Sequence, residues 1–460
     1  MSRSPLNDYR TRIAAALEGG SRFGGLHASG GTVRTALVAP SGAIQFESAP
    51  VVDGRVTSIV DLAPAANWDE REAFDSYGVR FDGHEPLRPL VDHDLDLASW
   101  TVPVRGPDAY QVAVGPIHAG VIESGHFRLH VVGDLILHLD ARLFYKHRGL
   151  ERAAEGHTLA EGLAYAGRAC AACAVTNTVA YAQACEQVLA LHPTAEVARA
   201  RTILLELERL WNHLNDIAAV CAGVGLAAGN MRFAALTERA RQLNAQLTGH
   251  RFLFGSVEVG GNRVAFDATA ARAELAEIRA ESESAWRELL FNASFSDRLP
   301  DIGVVSLEDA VTFGAVGPAA RASGLAEDAR ATSNLLAYDG FTAIVPHRAA
   351  GDVQARLEQH ALEVQQTFDL LASLLDAPVV AASCEPAGNG RAIGAARVES
   401  PRGATLCIVE SANRRVDRVR LRTGSYANWP VVAHAAIGCL LPDFPLINKS
   451  FELCYACADR

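Results

Sequence analysis

The sequence predicts an α+β fold: a small N-terminal α/β domain, a small antiparallel β-sheet, and a large, mainly α-helical bundle with a C-terminal β-hairpin. Three observations predict it. Short β-branched runs bounded by Gly, Pro or Asp occupy the start of the chain. Ala- and Leu-rich segments with i, i+3, i+4 spacing fill the middle. Alternating runs separated by a polar turn follow near the end.

The N-terminal part combines a short helix with strands. A helix is predicted over residues 7–17. Three strand-like runs follow, at residues 32–40, 43–51 and 55–63. The segment 68–91 mixes charged and aromatic residues, and its two prolines interrupt any helix. We expect a first domain over 1–95 and a second over 96–460.

The second domain begins with a sheet and continues as helices. Alternation over 110–140, with Gly turns, predicts a small antiparallel sheet. Amphipathic patterns predict long helices over 160–191, 194–225, 233–255 and 353–375. Residues 397–411 and 415–425 alternate around a polar turn at 412–414, which predicts the hairpin.

Composition excludes several classes of protein. The chain has 460 residues, a formal net charge of −11, a pI near 5.8 and 49% hydrophobic residues. It is therefore not disordered, and it has no basic run that would bind nucleic acid. The start lacks the apolar core of a secretory signal, and no segment has the length and apolarity of a membrane span. We expect a cytoplasmic protein, in which nine cysteines are more typical of metal or redox chemistry than of disulfides.

Two Cys-x-x-Cys pairs are the strongest chemical feature. Cys170 and Cys173 form the first, and Cys454 and Cys457 form the second. On a helical turn, i and i+3 share a face, so each pair could present two thiolates to one metal such as nickel, zinc or iron. Spacing alone leaves open a structural zinc site, a dithiol pair or simple buried cysteines.

The other five cysteines are isolated among apolar or small neighbours. They are Cys185, Cys221, Cys384, Cys407 and Cys439. We expect all five to be buried small hydrophobes. None forms the cluster of ligands that an iron–sulfur centre needs, so any electron transfer would require a partner.

Three further motifs are ambiguous alone. His147–Glu151 (HRGLE) is typical of a solvated helix start. Glu399 and Arg402, in ESPRG, could belong to an ordinary hairpin edge or hold an anion. Glu206, Arg209 and His213 share one helical face, which usually means a polar stripe on an amphipathic helix.

Taken in order, the motifs resemble one family. WDEREAFDSYGVRFDGHEPLRPLV resembles the complex I 30 kDa subunit, in shortened form. VGPIHAGVIESGHFRLHVVGD, FYKHRGLE, the first cysteine pair, ILLELERLWNHL, VGPAARASG, ESPRG, YANWP and CYACADR then follow. The chain resembles the large subunits of energy-converting (group 4) nickel-iron hydrogenases, of the formate hydrogenlyase type, which are related to the complex I 49 kDa subunit.

The resemblance implies roles for individual residues. Four of them match the thiolates that hold a nickel-iron centre: Cys170, Cys173, Cys454 and Cys457. Cys454 would also accept the proton when hydrogen is split, and Glu151 would pass that proton outwards. Arg402 would lie over the metals, and Arg168 and Glu452 would complete the two flanking motifs as cofactor-binding residues.

The resemblance also implies an activity, cofactors and partners. The activity is interconversion of H2 with protons and electrons at a nickel-iron centre whose iron carries carbon monoxide and cyanide. Iron–sulfur clusters would lie only in a small subunit that resembles the complex I 20 kDa subunit. Antiporter-like membrane subunits, and ferredoxin-like or formate dehydrogenase subunits, would complete a complex held peripherally on the inner face of the cytoplasmic membrane.

The sequence departs from the family pattern near the cysteines. Ala171 and Asn177 replace a glycine and a histidine, and Glu452-Leu453 replaces an aspartate and a proline. The sequence stops at Arg460, where the family is normally cut during maturation, which we interpret as a gene without the removable tail.

Two alternative functions follow. One is a catalytically silent scaffold, which could bind zinc and which the altered flanks favour. The other is a quinone-reducing subunit like that of complex I, with His118 or His126 facing quinone.

Overall fold

The structure, a computed structural model, describes residues 5–94, 101–118, 123–384 and 391–460. The helices are α1 (Pro5–Glu18), α2 (Asn67–Tyr77), α3 (Leu150–Ala153), α4 (Leu159–Gly167), α5 (Ala174–Leu189), α6 (Ala195–Gly223), α7 (Ala227–Thr248), α8 (Ala268–Leu290), α9 (Ala293–Ser296), α10 (Leu307–Thr312), α11 (Gly317–Ala322), α12 (Val353–Leu374), α13 (Gly424–Ala435), α14 (Phe444–Phe451) and α15 (Tyr455–Asp459). The strands are β1 (Arg22–Ser29), β2 (Thr32–Val38), β3 (Ile44–Pro50), β4 (Arg55–Thr57), β5 (Arg80–Asp82), β6 (Ala109–Val114), β7 (His126–Val132), β8 (Leu135–Arg142), β9 (Val257–Glu258), β10 (Gly261–Asn262), β11 (Ala382–Ser383), β12 (Ile393–Ser400), β13 (Gly403–Ala412) and β14 (Arg415–Arg422).

The N-terminal part has its own hydrophobic core. Strands β1, β2 and β3 form an antiparallel sheet in that order, and β4 pairs in parallel with β5. Side chains of α1 and the sheet, among them Tyr9, Ile13 and Val33, meet Phe81 in a separate apolar cluster. The third predicted strand is shorter than expected because it ends at Thr57, after which the chain turns and forms a short 3-10 helix (Pro64–Ala66) before α2. The predicted domain boundary between residues 95 and 96 lies outside the described residues.

Helix α6 is the centre of the bundle. It packs against α7, α12 and α14, and Thr194 caps its start by accepting a hydrogen bond from the Val197 amide. Nearly every face of α6 is buried. The three polar residues expected on a polar stripe, Glu206, Arg209 and His213, are buried as well. That expectation is therefore wrong. Glu206 and Arg209 are each 0% exposed and pair with charged residues from other segments.

Three further small sheets are present in the described residues, one of them formed by the two-residue strands β9, β10 and β11. Strands β6, β7 and β8 form the predicted antiparallel meander. Near the end of the chain, β12, β13 and β14 form a three-stranded antiparallel sheet. The predicted hairpin is confirmed as β13–β14, but the run 397–411 is two strands, because Pro401 and Arg402 turn the chain sharply between them.

The predicted helix over 160–191 is interrupted. Helix α4 ends at Gly167, a loop contains the first cysteine pair, and α5 begins at Ala174. The predicted fold class is otherwise confirmed. No helix in the described part of the chain is long and apolar enough to cross a membrane.

Candidate metal centre

The two cysteine pairs meet in one place. The ligand atoms of the four cysteines all lie within 4.8 Å of one another. Cys170 and Cys173 lie in the loop between α4 and α5, and Cys454 directly precedes α15, which contains Cys457. The pairs therefore converge from loop-to-helix junctions and not from within continuous helices. Cys170, Cys173 and Cys457 are buried, and Cys454 is partly exposed.

Helix α6 holds the first cysteine loop. The Glu208 carboxylate accepts hydrogen bonds from the amides of Val175 (2.6 Å) and Thr176 (3.1 Å) and from the Thr176 hydroxyl (2.6 Å). It therefore caps the start of α5. Asn212, one turn further along α6, donates to the Ala172 carbonyl at 2.8 Å. Burial raises the pKa of Glu208 to about 7, although the bonds from Thr176 and Val175 oppose the shift.

The second pair is held by the start of α13. The Cys454 amide donates to the Ser425 hydroxyl at 3.1 Å, and the Thr423 hydroxyl donates to the Cys457 carbonyl at 3.0 Å. Among the four thiols, hydrogen bonds from Cys170 and the other two cysteines lower the pKa of Cys454. Contact with Cys170 raises the pKa of Cys457.

Arg402 lies beside the quartet, in the turn between β12 and β13. It is 4% exposed, interacts electrostatically with Cys454, and pairs closely with Asp216 of α6. Its second terminal nitrogen donates to the Asn212 side chain at 3.3 Å. Burial alone would raise the pKa of Asp216, but the charge of Arg402 outweighs it and lowers that pKa. The Arg402 guanidinium is therefore fixed in orientation next to the sulfurs.

Glu452 lies beside Cys454, and its predicted role in cofactor binding stays a prediction. It ends α14 in the left-handed region (φ 45°), and its carboxylate accepts a hydrogen bond from Asn215 at 3.4 Å. Burial, followed by repulsion from Asp216, raises the pKa of Glu452 to about 8. Its protonated form is therefore favoured at neutral pH.

A buried polar network continues from Asp216 into the bundle. His213 Nδ1 lies 3.1 Å from Asp216, and its Nε2 lies 3.0 Å from Glu363. His360 Nδ1 lies 3.1 Å from His213 Nδ1. All four side chains are 0–1% exposed. The helix face that looked solvated in sequence is thus part of the interior next to the quartet.

Acidification should destabilise the fold through His360. Burial lowers the pKa of His360 to about 4, and the charges of His213 and Arg402 lower it further, whereas those of Asp216 and Glu363 oppose the shift. The unfolded chain binds this proton near pH 6.5. Between about pH 6.5 and 4 the unfolded state alone is protonated, which costs the fold roughly 3 kcal/mol. We expect this loss to be smaller in His360→Gln.

The measurement is the thermal unfolding midpoint of the purified chain between pH 7.5 and 4. Exposed His192 provides the control variant, His192→Gln, whose pH profile should match the unmodified chain. A His360→Gln profile as steep as that of the control would contradict the assignment of the acid sensitivity to His360.

Glu151 and Arg168 do not contact the cysteines in the described structure. The Glu151 carboxylate accepts from the Leu421 amide at 2.7 Å and from Arg460 at 3.3 Å. Arg168 is exposed, with its guanidinium 4.8 Å from the Phe254 ring centroid. Arg168 does, however, border a cavity of about 660 Å³ whose lining also includes Cys170. The roles of both residues stay predictions.

Other expectations have mixed outcomes. Cys185, Cys221 and Cys407 are buried as predicted, but Cys384 and Cys439 are partly exposed. His126 is 9% exposed and hydrogen bonded to the Gly115 carbonyl (3.0 Å). Part of the loop proposed for quinone, residues 119–122, lies outside the described residues.

Several residues that shape the site were not predicted from the sequence. Glu123 accepts a hydrogen bond from the Ala456 amide (2.8 Å), between the two cysteines of the second pair. Glu208, Asn212 and Asp216 lie on α6 and bind either the cysteine loop or Arg402. A usable signal existed, since charged residues within a Leu-rich helix of this length can be buried partners as well as solvent-facing ones.

The residues present fit a soft metal. Four sulfur ligands within 4.8 Å suit nickel, iron or zinc. Two groups near the quartet also lack partners within the described structure. Arg402 Nε is buried without a hydrogen bond, and so are both polar atoms of the Asn177 side chain, one helical turn after Cys173. Unpaired buried donors beside four sulfurs are what a site for a metal with polar ligands would provide.

The fold and the cysteine site define a class of oxidoreductase subunit. Residues 224–385 and 385–460 match the family described as the 49 Kd subunit of the respiratory-chain NADH dehydrogenase, and residues 43–106 match its 30 Kd subunit. The match to the 49 Kd subunit, over residues 224–460, covers more than half of the chain.

Individual relatives narrow the class. Formate hydrogenlyase subunit 5 of Escherichia coli is 31% identical over 438 residues, covering 88% of this chain and 76% of the relative. One subunit of the NADH-quinone oxidoreductase of Phocaeicola vulgatus is 28% identical, covering 69% of each chain. The solved membrane-bound sulfane sulfur reductase, an archaeal respiratory membrane complex, superposes with a TM-score of 0.71 at 25% identity, covering 78% of this chain and 100% of that one. The chain belongs to the family of energy-converting hydrogenase large subunits of the formate hydrogenlyase type, which is related to the complex I 49 kDa subunit.

Proposed function

We propose that this chain is the catalytic large subunit of a membrane-associated nickel-iron hydrogenase, interconverting H2 with protons and electrons. The observation that carries the proposal is the convergence of both cysteine pairs into one four-sulfur site. Relatives named as NADH-quinone oxidoreductase subunits also match the chain, but a quinone-reducing role gives no reason for four thiols to meet. The similarity to formate hydrogenlyase subunit 5 adds support.

The four cysteines would hold the metals. When bound, a nickel-iron centre whose iron carries carbon monoxide and cyanide would supply the site for hydrogen splitting or formation. Arg402, held by Asp216 and Asn212, keeps a fixed positive charge beside Cys454. Glu452 would carry a proton on the same side, since its raised pKa of about 8 favours the neutral acid. Arg168 would line the cavity at Cys170 and contribute to the cofactor's surroundings there.

Proton transfer from Cys454 has two candidate acceptors. Glu123 is hydrogen bonded to the segment between Cys454 and Cys457, whereas Glu151 borders a small cavity beside Ala169 and is bonded to Arg460. The hydrogen bond to the Ala456 amide, between the two cysteines of the second pair, favours Glu123 as the first acceptor, because a proton relay needs groups that lie close to one another. Glu151 would then act further out.

Glu123→Gln should stop proton transfer while leaving the metal in place. A glutamine keeps the acceptor for the Ala456 amide but cannot take up a proton. We expect hydrogen evolution to fall about a hundredfold, within the usual range for loss of a general acid–base group. The measurement is H2 evolution with nickel content on the same sample. Glu151→Gln is the matched variant, and a larger loss there than in Glu123→Gln would reverse the assignment.

Partners would complete the reaction. No residues in the described structure other than the quartet group three cysteines together, so electrons would pass to iron–sulfur clusters in a small subunit. The cavity lined by Cys170, Arg148, Arg168 and Phe254 borders the site and is the place where we expect that subunit to lie. Antiporter-like membrane subunits, with ferredoxin-like or formate dehydrogenase subunits, would hold the chain at the inner face of the cytoplasmic membrane.

The direct test of this function is isotope exchange. The complex purified from its native host should catalyse exchange between D2 and water, in proportion to its nickel content. Absence of exchange in a preparation that contains nickel would contradict the proposed activity.

A silent scaffold is the second candidate, and the altered residues favour it. Ala171, Asn177 and Glu452-Leu453 change the surroundings of both cysteine pairs. In that case the quartet would hold zinc, and the purified complex would not catalyse exchange between D2 and water.

A further inference from the structure

Arg460 connects the second cysteine pair to the N-terminal part of the chain. Its guanidinium is 1% exposed. One terminal nitrogen donates to Glu72 of α2 at 2.7 Å. The other donates to the Leu421 carbonyl at 2.7 Å and to Glu151 at 3.3 Å. A residue three positions after Cys457 is therefore held by a helix that precedes it by nearly the whole chain.

The surroundings of Arg460 are balanced in charge. Three carboxylates and three guanidiniums meet there: Asp69, Glu72, Glu151, Arg420, Arg422 and Arg460. Burial alone would raise the pKa of Glu72, but the charges of Arg420 and Arg460 outweigh it and lower that pKa. Removing one charge from such a set leaves another buried without compensation. The cluster therefore exists only when α2 is docked against β14 and α15.

Contacts of Arg460 and Asp459 also fix the position of α15, which contains Cys457. Arg460 follows directly on α15, and its carbonyl accepts a hydrogen bond from the Arg148 amide at 2.8 Å. The Asp459 carboxylate accepts from two backbone amides of residues 144–146. Helix α15 is only five residues long, so its position depends on these anchors more than on its own stability. Cys457, inside it, is 0% exposed.

We propose that Glu72 and Arg460 form a latch that positions Cys457, so that docking of α2 and metal binding by the quartet stabilise each other. Glu72 and Arg460 are positioning residues, since they act on the metal site through α15. The metal half of this inference rests on the proposed function, whereas the effect on the thiol does not. Because such coupling is reciprocal, metal in the quartet must also tighten α2 against the rest of the chain.

The first test uses Glu72→Gln in the full chain, purified with its partners from cells grown without nickel. The rate of Cys457 alkylation by a maleimide, read by peptide mass spectrometry, should rise at least tenfold. Glu410→Gln is the matched control. Glu410 is a buried carboxylate that joins the same two parts of the chain through His27, Ser29 and Arg34 and does not contact Arg460. Its alkylation rate should stay within twofold of the unmodified chain.

The second test needs no change in the latch. Hydrogen exchange of the peptide that contains α2 should be at least fivefold slower in the metal-containing complex than in the Cys170→Ser complex, while α8 exchanges equally in both. Equal exchange of α2 would refute the coupling to metal.

The outcomes separate the latch from the proposed function. An unchanged alkylation rate in Glu72→Gln, or an equal rise in Glu410→Gln, would overturn the latch. If the native complex contains no nickel but Glu72→Gln alone exposes Cys457, the latch stands and the proposed hydrogenase function fails.

Discussion

Cys170→Ser should remove the metal and abolish hydrogen turnover. Cys170 is one of four sulfurs that lie within 4.8 Å of one another, and it borders the cavity that opens on this site. A serine hydroxyl is a hard, poorly ionised ligand and cannot replace a thiolate on a soft metal. We expect nickel to fall below about a tenth of that in the unmodified complex, in line with the dependence of such sites on complete ligation, and H2 evolution to reach background.

The matched control is Cys439→Ser. Cys439 is partly exposed and lies outside the quartet, where its sulfur accepts a hydrogen bond from the Gly303 amide (3.3 Å) that a hydroxyl can also accept. Nickel content and turnover should be retained. Full metal content in Cys170→Ser would show that the quartet is not the metal site.

Arg402→Lys should impair turnover but keep the metal. The guanidinium pairs with Asp216 and also donates to Asn212, and a lysine can satisfy one of these partners but not both in the same plane. Its charge would then lie in a different place relative to Cys454. We expect a loss of about a hundredfold in H2 evolution, comparable to the loss of one fixed donor from a preorganised site.

The measurement is the turnover number per bound nickel. Nickel per chain should stay above half, because Arg402 supplies no ligand atom. Arg397→Lys, on the same strand β12 and partly exposed, is the control and should turn over normally. Equal turnover in Arg402→Lys and in the control would show that Arg402 has no role in hydrogen turnover.

Periodicity and turn residues predicted most of the fold. The helices predicted over 194–225, 233–255 and 353–375, the meander and the β13–β14 hairpin follow from local patterns and are present in the structure, whereas the long helix α8 was not predicted. The break at the first cysteine pair was missed because GRACAACAVTN is rich in alanine, the strongest helix former. What stops the helix is tertiary: Glu208 and Asn212, from another helix, bind the backbone of the loop.

The site was only partly predictable for a similar reason. The two Cys-x-x-Cys pairs marked the four cysteines as candidate metal ligands, although their spacing alone left other interpretations open. An aspartate or glutamate does not by itself indicate a site residue in the sequence. Asp216 and Glu123 become site residues only through contacts across 186 positions to Arg402 and 333 positions to Ala456. The Glu72–Arg460 pair spans 388 positions, and a single sequence holds no information about so distant a contact.

The most direct test of the central claim is elemental analysis of the complex purified from its native host, paired with an infrared spectrum. We predict nickel and iron near one each per chain, with stretching bands of iron-bound carbon monoxide and cyanide. Zinc, or no metal, together with the absence of those bands, would contradict a nickel-iron centre on Cys170, Cys173, Cys454 and Cys457 and leave the chain as a structural relative of the hydrogenases.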